Sequence, residues 1–498
     1  MEFTMYKKRI LIPLAIIVVL VATIAIPASH VLNSYIDDTA KTSESSSRKY
    51  INDASGLNRT KVDTIISVKN RPQEIRKQLR DIIRRANADN KKISIAGARH
   101  SMGGHVISPD GIVIDMRPYR WMMLDTTTDI LKVGSGAMWT DILNYLDGHD
   151  RSVGVMQAFA NFSVGGSISV NGHGWQHNRA PVSSTVRSFT LLKSDGEIVT
   201  CSRGENAELF HLVVGGYGLF GIILDVEISV VPNEVLKLKS FKIPAEKYID
   251  YFTKYADNNP STRLVFGRLN ISQRDFLQEA TLNIFYTTKA DGSIRGFKNS
   301  EKLRDFKRAV FRSTVRSEYG KRLRWNLETK AATLIESEVF SRNQILNEDA
   351  TLIANSDTGT TDLLHEYFIP RRNFTKYIAA LKTALPNDEI DLLNITIRNV
   401  YKDDDSFMAY AREEVFGFVM LFNQRKMVKG EAEMKLLTQK LIAIALENEG
   451  TYYLPYRLHA SRDAFKTAYP QSGEFFKKKL QYDPKELFSN QFYNAYKF

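Results

Sequence analysis

The chain of 498 residues is too long for one ordinary core, and its single cysteine, Cys201, excludes a disulfide framework and a thiolate metal cluster. Lys and Arg number 68 against 56 Asp and Glu, a net charge of +12. That excess admits an anionic partner, but no basic stripe interleaved with aromatics accompanies it, so nucleic acid is not expected.

In chain order, an uncharged run from Ile10 to Ala28 comes first. At helical rise it extends roughly 28 Å, close to the hydrocarbon thickness of a bilayer. We therefore expect residues 1–29 to be a membrane anchor, a single-pass transmembrane helix. Lys7, Lys8 and Arg9 precede it and Asp37 and Asp38 follow, which puts the N-terminus in the cytoplasm and the body on the outer side. A long cleaved signal peptide is the competing reading. Residues 30–51, which contain the Ser-rich DDTAKTSESSSRKY, read as a flexible tether.

From residue 52 the pattern is strand (VDTIISV), helix (RPQEIRKQLRDIIRRANAD, with Ile75, Leu79, Ile82 and Ile83 on one face) and strand (KKISIAG). GIVIDM, ILKVGSG, GGSISV, RSFTLLKSDG and GIILDVEISVVP continue as short strands broken by glycine, with MWTDILNYLDGHD as a helix. This first unit runs from 52 to 232. Residues 233–455 alternate strands such as LVFGRLNIS, ATLNIFYTT, NITIR and VFGFVMLFN with amphipathic helices. An antiparallel sheet covered by helices follows from that pattern, hence an α+β class overall. The basic stretch from Lys298 to Lys330 reads as helical with a solvated face; lipid headgroups are the alternative contact.

Three glycine-rich segments carry candidate chemistry. AGARHSMGGH supplies His100 and His105 after a strand; without an HExxH pattern or cysteine ligands, no metal site is expected. VGGYGLFGIILDVEI satisfies GxGxxG through Gly216, Gly218 and Gly221, yet it leads into a strand, whereas a dinucleotide fingerprint opens a helix. SVGGSISVNGHG is equally a cradle of bare amides for a pyrophosphate or a tight turn between core strands.

Taken together and in this order, GARHS, GGSISVNGHG and GGYGLFGIILDVEI resemble the FAD-binding domain (PCMH type) of the vanillyl-alcohol oxidase family. EYFIP (Glu366 to Pro370), NITIR (Asn394 to Arg398) and DPKELFSNQF (Asp483 to Phe492) are most similar to its alditol and aldonolactone oxidase branch. The resemblance implies a two-subdomain FAD domain over 52–232, an α+β substrate (cap) domain over 233–455, and a segment, 456–498, that returns to the FAD domain. It further implies FAD attached covalently through His100, with Gly97, Ala98, Arg99, Ser101 and Gly103 forming the turn around it. Gly165, Gly166, Ser167, Ser169, Gly172 and His173 match the loop around the pyrophosphate. Gly218, Gly221, Ile222, Ile223 and Asn490 match further cofactor positions.

In the cap, Thr396 and Arg398 fall on one side of a strand with Asn394. The branch carries Glu where this chain has Thr396, which leaves no secure general base. Arg398 and His459 are expected to stabilise negative charge at the substrate oxygen or the flavin, while Arg398–Asp403 pairing and a satisfied core histidine are the bland alternatives. Phe418 aligns with a histidine of the polyol site. The implied activity is oxidation of a CH–OH group of a sugar-, polyol- or lactone-like small molecule by hydride transfer, with oxygen or a membrane acceptor as oxidant. Phe418 and the anchor favour a lipid-linked or sterol-like substrate as the rival, with a reductase or epimerising oxidase acting on it. A catalytically silent binding module on the same fold is the rival of another class.

Overall fold

The computed structural model describes residues 25–39, 49–288, 294, 296–297, 301–385 and 390–497. The expected span from Ile10 to Ala28 lies outside these residues up to position 24; among the described residues no helix is long and apolar enough to cross a membrane. The expected tether needs correction in its first part. Helix α1 (Ile26–Thr39) covers it, with Pro27 in the first turn where a missing amide costs nothing. The His30 Nε2–H donates to the Ser313 carbonyl at 3.0 Å, tying α1 to the basic region of the cap. Residues 40–48 lie outside the described set.

Two short strands, β1 (Tyr50–Ile51) and β2 (Thr60–Lys61), pair antiparallel. Next, β3 (Thr64–Ser67), β4 (Ile93–Ala96) and β5 (Ile112–Asp115) form a parallel sheet in the order β3-β5-β4. Helix α2 (Pro72–Ala88) makes the crossover. It buries Ile75, Leu79, Ile82, Ile83 and Ala86, the stripe that the three-to-four spacing predicts. Isoleucine-rich β4 and β5 suit a sheet largely hidden on both faces.

A second, antiparallel sheet contains β6 (Met122–Asp125), β7 (Ile130–Gly134), β9 (Val186–Leu192), β10 (Ile198–Ser202) and β11 (Ile222–Pro232), with β8 (Arg151–Val153) paired to the end of β11. Helix α3 (Trp139–Asp147) packs beneath it. GGSISV is not a strand. Residues Val164–Ser169 form a short helix, α4, opened by Ser163 in extended conformation. Six residues are too few for alternation and helical period to be told apart.

The third sheet holds β12 (Val235–Pro244), β13 (Thr262–Leu269), β14 (Glu279–Thr287), β15 (Val339–Ser341), β16 (Thr360–Pro370), β17 (Asp391–Val400), β18 (Val415–Arg425) and β19 (Thr451–Tyr452), in the order β15-β12-β14-β13-β17-β18-β16-β19. Every pairing is antiparallel. Helices α5 (Glu301–Arg312) and α6 (Glu318–Ile335) come from the basic stretch. On the other side, α7 (Phe374–Ala384) and α8 (Val428–Glu447) bury apolar stripes.

The C-terminal segment crosses back to the first sheet. Ile93 N–H donates to the Leu487 carbonyl at 2.7 Å, and Ser489 N–H donates to the Ile93 carbonyl at 2.9 Å. Buried Asp483 holds that corner by accepting from the amides of Leu487 and Phe488, and Lys479 neutralises it. An ion pair this deep requires both charges and their hydrogen bonds together.

Candidate functional site

A cavity of about 370 Å³ lies between the glycine-rich segments and the inner face of the third sheet. That size is ordinary for a small-molecule site. Its first wall contains Gly97, Ala98, Arg99, His100 and Ser101 from the turn after β4, Gly165, Gly166 and Ser169 from α4, and Gly218, Gly221 and Ile223 at the start of β11.

Close approach explains the glycines. A methyl group on Gly97 would lie 2.1 Å from Ser163 Oγ, and one on Gly165 would lie 2.9 Å from Ser135 Cβ. Gly218 has φ +73°, a conformation costly for any side chain. Arg99, also left-handed at φ +62°, lies 3.7 Å from Asp115 through its guanidinium.

The His100 ring stacks on Phe162, with centroids 4.1 Å apart, and its Nε2 is 2.9 Å from the Asn161 carbonyl oxygen. A carbonyl only accepts, so Nε2 carries the hydrogen and Nδ1 the lone pair. Burial pushes the His100 pKa down, against the opposing pull of that carbonyl. The imidazole is therefore neutral near pH 7.

The second wall is read from strand register. Arg268, Thr396, Val419 and Glu366 lie directly opposite one another across β13, β17, β18 and β16. One row along are Phe266, Arg398, Gly417 and Phe368. Directly opposite residues share a face, and Asn394, Thr396 and Arg398 line the cavity together, as period two predicts. The Arg398–Asp403 pairing does not form: Asp403 accepts from Asn171 and Ser406, while Arg398 Nε is buried without a hydrogen-bond partner.

Glu366, not singled out by the sequence as a site residue, stands on this wall. Its Oε1 is 2.8 Å from His173 Nε2, and both side chains are almost wholly buried. Tyr456 O–H donates to Oε2 at 3.4 Å. Burial alone raises the Glu366 pKa, but His173 and then Arg398 outweigh it and hold the carboxyl below the usual range. A methyl group on Gly417 would lie 3.1 Å from Glu366 Oε1, so this glycine provides the room in which the carboxylate sits.

Several expected site residues are placed elsewhere. His459 is outside the cavity: Nδ1 meets the Thr438 hydroxyl at 2.9 Å and Nε2 meets Glu431 Oε1 at 2.9 Å. It is a satisfied core histidine. Ser167 Oγ turns into the core, accepting from Trp139 Nε1–H and donating to Gln157. Ile222 packs into the core between the first two sheets while its neighbour Ile223 faces the cavity, as alternation requires. Gly103 and Gly172 allow close packing behind the wall, against Tyr456 and Gln157. Asn490 caps the last helix and donates to the Tyr217 carbonyl at 2.9 Å, which steadies the turn at Gly218. Phe418 points to the opposite face, where it packs on Phe374 and Tyr377 of α7. The apolar substitution inferred for the substrate site is therefore not in the site.

The first wall suits a long, polar, phosphate-bearing cofactor. Bare backbone is brought close at Gly97, Gly165 and Gly221. Ser101 Oγ and Gln157 Nε2 are buried on the cavity lining without partners. A neutral imidazole adjoins them. This donor set fits FAD.

Comparison with known proteins agrees. Residues 73–202 match the FAD binding domain family. The chain is 28% identical to mouse (Mus musculus) L-gulonolactone oxidase over 174 residues, 35% of this chain and 39% of that protein. The bovine (Bos taurus) L-gulonolactone oxidase match has the same extent at 27% identity. Cytokinin dehydrogenase 4 of Arabidopsis thaliana is 24% identical over 443 residues, 81% of this chain and 80% of that protein. The chain thus spans about two fifths of the gulonolactone oxidases it matches.

Proposed function

The chain belongs to the vanillyl-alcohol oxidase family of FAD-dependent oxidoreductases, and from that premise we propose that it oxidises a carbon bearing a hydroxyl group in a small molecule. The observation that carries this reading is the Glu366 carboxylate and the Arg398 side chain on one cavity wall, across from His100. Sugar lactones are a donor class consistent with the gulonolactone oxidases among its relatives.

When bound, FAD supplies the two-electron acceptor for the hydride. The residues of the chain do the rest. Arg398 binds the substrate oxygen and stabilises the charge that grows on it as its proton leaves. Glu366, ionised and within reach of that oxygen's position, takes the proton. His173 and Tyr456 flank the carboxylate, on Oε1 and Oε2 respectively. Ser101 and the backbone at Gly97 and Gly165 hold the cofactor. Thr396 is a substrate contact, its hydroxyl oriented by Asn394 Nδ2 at 2.8 Å.

The purified holoprotein, mixed with a panel of lactones, polyols and other alcohols in the absence of oxygen, is expected to lose its flavin colour with at least one of them. Colour retained against the whole panel, by a preparation whose flavin still responds to dithionite, refutes the oxidation reading.

We assign His100 Nδ1 as the atom that attaches the flavin, because it carries the free lone pair of a neutral ring. Acid-precipitated wild-type protein should stay yellow, and His100→Ala should release all its flavin to the supernatant. Colour that remains in the pellet of the variant rejects the assignment.

A further inference from the structure

The end of the cavity away from Glu366 is built from charge that the oxidation chemistry does not use. Arg268, on β13, and Arg324, on α6, both line it. They share one carboxylate: Arg268 pairs with Glu328, and Arg324 Nε donates to Glu328 Oε1 at 2.8 Å. Arg324 also donates to the Leu393 carbonyl at 3.0 Å, and its guanidinium lies over the Phe311 ring, 4.6 Å from the centroid. Arg268 donates to Asn394 Oδ1, yet its Nε is buried without a partner. Two guanidinium groups against one carboxylate leave a single surplus positive charge. At the other end Arg398 and Glu366 balance.

A surplus cation on a partly buried wall is costly unless an anion meets it. Besides Asn394, the lining around Arg268 and Arg324 is apolar: Phe266, Phe311, Ile353, Leu364 and Leu421. Arg268 and Glu366 are the outer members of one row across four strands. At ordinary interstrand spacing their backbones are about 14 Å apart. A molecule lying along that row has its oxidised end at Glu366 and Arg398 and its far end at Arg268 and Arg324.

We infer that the substrate is a hydroxy-bearing carboxylic acid with an apolar or ring-shaped body, whose carboxylate is held by Arg268 and Arg324. The planar guanidinium fork suits carboxylate and phosphate oxygens alike, and the single surplus charge matches a singly charged carboxylate better than a doubly charged phosphate ester. Arg268 and Arg324 are specificity residues, distant from the reacting carbon. The inference rests on the oxidation reading for which end of the molecule reacts.

The test uses holoprotein and two probes that differ only at one group, para-(hydroxymethyl)benzoate and its neutral amide. Binding is read from the shift they cause in the flavin absorbance, which needs no turnover. The acid is expected to half-saturate at least about tenfold lower than the amide, the yield of one charge-assisted hydrogen bond. Arg268→Gln and, separately, Arg324→Gln should bring the two probes to within about threefold of each other, with flavin content unchanged. Arg324→Lys, which keeps the charge and loses the fork, should fall between. Equal binding of acid and amide by the wild type, or absence of a shift with either, overturns the inference. So does a preference that survives both glutamine substitutions. Tighter binding of the matched phosphonate overturns the single-charge assignment. A preference for the acid without bleaching by any donor supports the carboxylate site and refutes the oxidation reading instead.

Discussion

Glu366→Gln should slow reduction of the bound flavin by a reactive donor about 10²- to 10⁴-fold, the usual contribution of a positioned base. The substitution keeps the shape of the side chain and the room beside Gly417, where Glu366 Oε1 sits. It removes the negative charge that the buried His173 and Arg398 face and replaces one acceptor oxygen by an NH2 donor. Flavin content should remain at the wild-type level, because Glu366 lies on the sheet wall and not among the glycine segments. Stopped-flow absorbance without oxygen separates this step from reoxidation. A reduction rate within a few-fold of the wild type rejects Glu366 as the base. The wild-type rate also has a defined pH dependence. His173 and Arg398 hold the carboxyl below its usual range, so the working, ionised form persists as pH falls and is lost only beneath the ordinary glutamate value of about 4.3. The rate of reduction should thus be flat between about pH 7 and 5, whereas an acid limb inside that interval would point to a different base.

Why the sequence missed Glu366 is a matter of strand order. EYFIP is plain as a motif, and a carboxylate inside LLHEYFIP is an unusual residue for a buried strand. Periodicity tells which residues share a face of one strand, but not which strand lies beside it. Here β18 separates β16 from β17, so Glu366 reaches the Thr396 row only through Val419. That row supplies a carboxylate to a wall on which Thr396 itself has none. Phe418 failed for a related reason. Arg398 faces Gly417 and Ile397 faces Phe418, and a shift of one residue in a strand exchanges its two faces. The wall formed by Gly97, His100, Gly165 and Gly218 was legible only through the resemblance carried jointly by GARHS, GGSISVNGHG and GGYGLFGIILDVEI. Gly97 and Gly165 are bare because Ser163 and Ser135, distant in sequence, approach them, and Gly218 because its φ is positive. His459 shows the limit of local reading: a histidine near the cavity in sequence, three residues after Tyr456, is fully occupied by Thr438 and Glu431 of α8.

The wall itself is open to a second strong test, through Gly221. Its φ is +150°, and a methyl group there would lie 2.6 Å from the Leu192 carbonyl oxygen and 2.9 Å from the Leu191 side chain. Both neighbours belong to β9, which pairs with β11 in the middle of the second sheet, so neither has space to retreat. Gly221→Ala therefore combines backbone strain with overpacking, together roughly 2–5 kcal/mol, a large share of the total stability of an ordinary domain. The displaced segment is the part of the lining from Gly221 to Ile223, so flavin retention should fall along with the melting temperature. Two controls isolate the causes. Gly196 has φ +87° with nothing within 4 Å of an added methyl, and Gly218 has φ +73° with Ile95 Cδ1 at 3.6 Å. Alanine at either position adds strain with no clash, and at Gly218 the strain is placed in the cavity wall. Thermal unfolding and flavin content should rank Gly221→Ala as the most damaged of the three. If Gly218→Ala matches it, the cost is conformational alone and contact with β9 does not set the position of the wall.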